Sequence, residues 1–120
     1  MNPEQVFSAA NALAIIGWVA LCVAGRRATI ATFTAVFIPL LLAAAYTVLV
    51  AWQFPHSEGG FGSLAEVAAL FRNPWMLLAG WIHYLAFDLF IGSWQVRDAV
   101  RHGIPHWRTV PCLIATFLFG

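Results

Sequence analysis

The apolar residues of this chain form long runs, and short polar stretches separate the runs. The first run covers residues 3–24, the second covers 28–52, and a third helix-compatible run covers 74–102. A helix rises about 1.5 Å per residue and about 20 apolar residues cross the hydrocarbon core, so these three runs predict membrane-spanning helices. A fourth apolar run begins at residue 107 and reaches residue 120. It is too short to cross alone, and we expect a fourth transmembrane helix that is incomplete in this sequence.

Capping residues and prolines mark the ends and the irregular points of these helices. Asn2 and Gln5 predict a capping box at the start of the first helix, with Pro3 at the first helical position. Pro39 lies near the middle of the second run. In a membrane helix it predicts a kink rather than a break, because neighbouring helices can satisfy the freed carbonyl groups.

The stretch between the second and third runs is polar and rich in glycine. Residues 53–62 predict an exposed loop, and Ser63 with Glu66 then predicts a capping box for a short helix over 63–72. The apolar positions of this helix share one face: Leu64, Val67, Ala68 and Phe71. This pattern is typical of an amphipathic helix that lies at the membrane surface.

Composition agrees with this pattern. The chain is 62% hydrophobic and only 9% charged, too few charges to cover the surface of a small soluble domain. We therefore predict an all-α membrane protein with one domain over residues 1–120. It is a four-transmembrane-helix bundle with a short amphipathic interfacial helix between helices two and three.

Charge and cysteine content argue against a nucleic-acid partner, a metal site and a disulfide framework. Six arginines and no lysine stand against five acidic residues, which gives no basis for a nucleic-acid partner. Cys22 and Cys112 lie in separate apolar runs without metal-type spacing, and they predict buried packing residues rather than a disulfide framework. We expect no metal and no cofactor.

Arginine placement predicts the orientation. Five of the six arginines flank the first or third connection, namely Arg26, Arg27, Arg97, Arg101 and Arg108. The second connection has only Arg72, so we expect the first and third connections to face the cytoplasm. No basic residue precedes the first run, which favours a retained helix over a cleaved signal. The predicted location is an integral membrane one, the cytoplasmic (inner) membrane in a bacterium.

Two ionisable side chains, His83 and Asp88, lie within the third helix. Insertion scales put a central aspartate at about 2.5–3.5 kcal/mol, so such residues usually face the bundle interior and indicate function. Helical spacing places Asp88 on one stripe with Trp81, Tyr84, Gly92 and Gln95. His83 lies about 140° round the helix from Asp88 and nearer to Phe87, so the two share a cavity only if this helix is central in the bundle.

Residues from three helices fall at a similar depth, counted from the helix midpoints: Asn11, Tyr46, Trp81, His83 and Tyr84. A small polar pocket in an apolar bundle needs such groups at comparable depth, and whether these residues converge depends on the rotations of their helices. Other interpretations stay open at this stage. Tyr84 could hydrogen-bond Asp88 only to satisfy the carboxyl group, Trp81 could be a packing residue, and Asn11 could join two helices.

The end of the third helix and the connection after it carry a polar group whose expected role is headgroup contact or structural pairing: Arg97, Asp98, Arg101, His102 and His106. Asp98 can pair with Arg101 or with His102. His102 and His106 are four residues apart, but Gly103 and Pro105 break the helix that a metal pair at this spacing needs. We therefore predict no metal site here.

Residues 81–111 resemble the abscisic-acid-deficient-four-like family of membrane proteins. The likeness is strongest in HYLAFDLF at 83–90 and GIPHW at 103–107, and the chain resembles a bacterial-type member. Plant members of that family are implicated in neoxanthin formation. The resemblance implies a four-helix membrane protein with a connection to carotenoids or related isoprenoids.

The resemblance also implies a reaction. In neoxanthin formation an epoxide opens while a proton leaves a neighbouring carbon, which requires an acid and a base. Asp88 with Tyr84 or His83 is the expected catalytic group. The expected substrate-binding residues are Trp81, Asn11, Tyr46 and Phe87.

Two hypotheses follow from the sequence. The first is a membrane enzyme, or enzyme subunit, that acts on a carotenoid or related isoprenoid lipid by acid/base isomerisation. The second is a non-catalytic pigment- or lipid-binding protein, or an accessory subunit of a larger membrane complex. The expected partners are membrane lipid or carotenoid, with a homo-oligomer or a larger membrane complex as the expected assembly.

Overall fold

The computed structural model describes residues 1–120, and every regular element in it is helical. We number the helices α1 (Pro3–Ala24), α2 (Ala28–His56), α3 (Leu64–Leu70), α4 (Pro74–Arg101) and α5 (His106–Phe119). Three of them, α1, α2 and α4, are long and apolar enough to cross a membrane. The chain is therefore an all-helical membrane protein.

The start of α1 has the predicted capping box. The side-chain oxygen of Asn2 accepts a hydrogen bond from the backbone N–H of Gln5 at 2.9 Å, and the Gln5 side chain accepts from the Asn2 N–H at 3.0 Å. Two backbone donors that the helix leaves unpaired are thereby satisfied.

Helix α2 continues through Pro39, and a widened turn accommodates the proline. Residues Phe33–Phe37 form a π-helical turn, in which the N–H of Ile38 bonds to the carbonyl of Phe33, five residues back. A proline in a regular helix would press against the carbonyl four residues earlier and leave it unpaired. The helix then regains regular geometry and ends in a 3₁₀ turn, Phe54–His56, somewhat beyond the predicted limit at residue 52.

The cap of α3 differs in one detail from the predicted box. The Ser63 hydroxyl accepts from the Glu66 N–H at 3.2 Å, but the Glu66 carboxylate accepts from the N–H of Gly62 at 2.9 Å rather than from Ser63. Leu70 anchors this short helix and is fully buried, whereas Leu64 is 86% exposed. Contact of the exposed side with a membrane surface stays a prediction.

Helix α4 is the centre of the molecule and packs against α1, α2 and α5. Glycine lets α1 approach it closely, because a Cβ atom added at Gly92 would lie 2.7 Å from the ring of Trp18. A Cβ atom at Gly17 would likewise lie 2.7 Å from the side chain of Leu89. Small residues at helix contacts are typical of membrane proteins, where close packing replaces the hydrophobic effect.

The first and third connections meet at one end of the molecule. The Arg26 guanidinium donates to the carbonyl oxygen of Ile104 at 2.8 Å. Nε2 of His106 lies 2.6 Å from the carbonyl oxygen of Cys22, near the end of α1. Connections that share an end lie on the same side of a membrane, and the assignment of that side to the cytoplasm stays a prediction.

Candidate functional site

Asp88 lies halfway along α4 and is half-buried at the edge of a cavity of about 220 Å³. The cavity lies between α1, α4 and α5, and its polar members are Asn11, Trp81, Tyr84 and Asp88. The remaining lining is apolar, with Trp18 and Leu85 among its members. The structure thus places four predicted site residues around one small space.

Asn11 reaches this cavity from α1 and is held there by Trp81. The indole N–H of Trp81 donates to the side-chain oxygen of Asn11 at 3.0 Å. The amide NH₂ group of Asn11 makes no hydrogen bond within the chain, so it can donate to another molecule. The Trp81 ring also packs against Tyr84, with ring centroids 5.4 Å apart.

Tyr84 and Asp88 lie one helical turn apart on the same side of α4, and both line the cavity. Side chains at this spacing are neighbours, with Cβ atoms about 5–6 Å apart. A hydroxyl group, a carboxyl group and an amide therefore border one space. Together they provide the donors and acceptors that acid and base chemistry needs.

Two more cavities, which together with this one we call the groove, share lining residues with the Asp88 cavity. A cavity of about 540 Å³ adjoins it on the side of Pro3 and shares Trp81 and Tyr84 with it. Another of about 430 Å³ adjoins it toward Val23, and all of its lining residues are hydrophobic. The α1 residues along the groove run from Pro3 to Val23, about 30 Å of helix, which matches the thickness of the hydrocarbon core.

His83 lies outside this groove. Its imidazole packs against Tyr46 of α2, with ring centroids 5.1 Å apart, and against Phe87 at 6.0 Å. Five residues at about 100° each turn its side chain about 140° away from Asp88, so α4 itself stands between them. The structure groups the predicted residues into two sets, one around Asp88 and one around His83.

The polar residues near the end of α4 have structural contacts. Asp98 pairs with His102, with 3.5 Å between Oδ1 and Nδ1, and not with Arg101. Nδ1 of His102 also lies 3.0 Å from the backbone carbonyl of Asp98. Arg97 and Arg101 are exposed, as headgroup contact requires, and His106 holds the end of α1.

Sequence reasoning missed three apolar residues that shape the groove. Ile15, Trp18 and Phe117 line both the Asp88 cavity and the cavity next to it. Ile15 and Trp18 follow Asn11 at four and seven positions, so helical spacing from Asn11 could have found them. Phe117 had no such signal, because its place depends on how α5 docks.

Comparisons with known proteins support the resemblance in the sequence. The model of a family described as ABA DEFICIENT 4-like matches residues 5–120. No curated protein and no solved structure matches the chain. The family match includes every residue of the Asp88 cavity.

Proposed function

Because this membrane protein belongs to the ABA DEFICIENT 4-like family, we propose that it isomerises a carotenoid or related isoprenoid at Asp88 and Tyr84. One observation carries the proposal: a carboxyl, a hydroxyl and an amide border one cavity, halfway along an apolar groove. The implication of plant family members in neoxanthin formation supports the class of substrate.

The reaction needs no further reactant. In an epoxy-carotenoid the epoxide C–O bond breaks, and a C–H bond on a neighbouring carbon breaks. The electron pair of that C–H bond forms a new double bond beside an existing one, which gives an allene and an alcohol. One proton leaves carbon and one proton reaches oxygen, so substrate and product are isomers.

Side chains of the Asp88 cavity can supply the base, the acid and the hydrogen-bond donor for this reaction. The Asp88 carboxylate takes the proton from carbon, and the Tyr84 hydroxyl gives a proton to the epoxide oxygen. Since the two groups are one turn apart, Asp88 can return its proton to Tyr84 and restore both. The Asn11 amide, held by Trp81, donates a hydrogen bond to the oxygen as negative charge develops there.

The groove accounts for the binding of a long apolar substrate. Side chains such as Phe7 and Leu77 line the cavity on the side of Pro3, and side chains such as Val19 and Ile114 line the cavity toward Val23. An isoprenoid chain that lies in one of these two cavities, with its polar end group in the Asp88 cavity, would place that end group beside Asp88. Binding energy from the chain would then position the end group for reaction.

A second function, binding of a pigment or lipid without reaction, is favoured by the apolar character of the cavity toward Val23. All of its lining residues are hydrophobic, and it contains no carboxyl, hydroxyl or imidazole group that could act as an acid or base on an epoxide. The two functions differ in one observable. A binding protein releases its ligand unchanged, whereas the enzyme releases an isomer.

Expression in a host whose membranes contain an epoxy-carotenoid tests the proposal, with the pigments separated by chromatography. Wild type should produce an isomer of the epoxy-carotenoid that the empty vector does not produce. Asp88→Asn should lower its formation about 100-fold or more, since a positioned acid or base typically contributes 10²–10⁴-fold.

Asp98→Asn is the matched control, because it makes the same change on the same helix but outside the cavity. It should leave conversion at the wild-type level. Equal pigment profiles in wild type and empty vector, or full conversion by Asp88→Asn, would refute the proposal.

A further inference from the structure

We propose that the face of α2 and α4 around Tyr46 and His83 is the contact between two copies of this chain. The copies would pair about a two-fold axis through reciprocal hydrogen bonds between Tyr46 and His83. This inference does not depend on the reaction proposed for Asp88, which lies on another side of α4.

Both polar groups lie at membrane depth. His83 is four to five residues from the midpoint of α4, and Tyr46 is four residues from the midpoint of α2. These positions are about 7 Å and 6 Å from the centre of each helix, inside a hydrocarbon core with a half-thickness of about 15 Å.

Neither group has a hydrogen-bonding partner within one chain. His83 is exposed on the outer surface and Tyr46 is half-buried beside it, and their rings pack at 5.1 Å without a hydrogen bond. Lipid tails supply neither donors nor acceptors, so an imidazole and a phenol on this surface need a partner from another molecule.

A second copy of the same face supplies the missing partners. The Tyr46 hydroxyl donates a proton, and the free nitrogen of a neutral His83 ring accepts one. In a two-fold dimer residue i of one copy meets residue j of the other, and j meets i. One symmetric contact therefore forms two hydrogen bonds, which pair both Tyr46 hydroxyl donors with both His83 acceptor nitrogens.

The surface around the pair permits such a contact. On the Tyr46 side α2 presents Ala43 and Thr47, which are small and exposed, and the Thr47 hydroxyl is already bonded to the Ala43 carbonyl at 2.8 Å. Small residues allow two membrane helices to approach closely. On α4, Phe87 and Trp94 share the face of His83 and are 58% and 49% exposed, which gives the contact apolar area.

Sedimentation equilibrium of the full chain in density-matched micelles tests this dimer. Wild type should show a monomer–dimer equilibrium that depends on the ratio of protein to detergent. Tyr46→Phe and His83→Leu should each weaken the dimer about tenfold, the size expected for two interhelical hydrogen bonds. The double variant should be little weaker than either single variant, because all three lack the same bonds.

Tyr84→Phe is the matched control, since it also removes a tyrosine hydroxyl, but at the Asp88 cavity rather than at the proposed contact, and it should leave dimerisation unchanged. His83→Leu replaces an exposed polar side chain with an apolar one, so a folding defect does not explain a weaker dimer. A monomeric wild type at every ratio would overturn the inference. A wild-type dimer that Tyr46→Phe and His83→Leu do not weaken would also overturn it. The same holds if the wild type is a monomer with a bound pigment and these variants lose that pigment.

Cross-linking in native membranes gives a second measurement. In a background with Cys22→Ala and Cys112→Ala, Phe87→Cys should form covalent dimers with a short bis-maleimide. Ile114→Cys, which lines the groove, is the control and should remain monomeric. Equal cross-linking at the two positions would also overturn the inference.

Discussion

At the scale of single residues, the hydrogen bond between Trp81 and Asn11 joins the central helix to α1 and holds the Asn11 amide at the cavity that Asp88 also lines. Trp81→Phe keeps an aromatic ring but removes the donor. We expect a stability loss of about 0.6–2 kcal/mol, the range measured for interhelical hydrogen bonds in membrane proteins. We also expect about tenfold slower isomer formation, because the Asn11 amide is no longer fixed.

Purified wild type and Trp81→Phe, compared by denaturant unfolding and by pigment conversion, check this prediction. Trp94→Phe is the control, as its ring is exposed on the other side of α4 and makes no such bond. If Trp81→Phe matches Trp94→Phe in both measurements, the hydrogen bond has neither role.

The sequence predicts this part of the site unevenly. Spacing alone put Trp81, Tyr84 and Asp88 on one stripe of a helix, because residues three or four apart share a face. The same spacing put His83 on a different side of this helix, away from Asp88. That Asn11 meets Trp81 depends on the rotation of α1 about its own axis, which no pattern within one helix determines.

At the scale of elements, the contact between α1 and α4 depends on the absence of a side chain at Gly92. A Cβ atom there would lie 2.7 Å from the Trp18 ring, closer than real contacts allow. Gly92→Ala should therefore cost about 1–3 kcal/mol of unfolding free energy through overpacking. Trp18→Leu should recover part of the loss in the double variant, because it makes room for the methyl group.

Unfolding in detergent with increasing denaturant measures both effects. Gly80→Ala serves as the control, since its Cβ atom would lie 3.3 Å from the exposed ring of Phe71, which can move. Additive losses in the Gly92→Ala, Trp18→Leu double variant would contradict the direct contact.

Helix ends were more predictable than irregularities within a helix. Asn2 and Gln5 form the predicted box because capping depends on only a few adjacent residues. Pro39 predicted a kink in the second helix, but the sequence did not show that a π turn before the proline keeps α2 continuous. The partner of Glu66 at α3 was also missed, because the loop brings the Gly62 N–H within its reach.

At the scale of the whole molecule, the arginine pattern and the structure agree on which connections belong together. Arg26 contacts Ile104, so the first and third connections form one end, and the long loop with Glu58 lies beyond the other end of α2. In the cysteine-free background, Glu58→Cys should react with a membrane-impermeant maleimide added outside intact cells. Arg101→Cys should react only after the membrane is opened, and the reverse pattern would contradict the predicted orientation.

The groove itself was beyond the reach of sequence analysis. It is formed by three helices whose apolar residues look alike in sequence, and its course follows from the docking of α5 against α1. What the sequence did indicate was the depth of the polar residues, since a membrane constrains length and depth more strictly than rotation.

The most direct measurement of the central claim uses the purified full chain in lipid nanodiscs, with an epoxy-carotenoid bound at one molecule per chain. Wild type should convert the bound pigment to its isomer in a single turnover. Asp88→Asn should bind the same amount of pigment and convert it about 100-fold more slowly or not at all. Conversion by Asp88→Asn at the wild-type rate, or recovery of unchanged pigment from the wild type, would contradict the assignment of Asp88 as the reacting group.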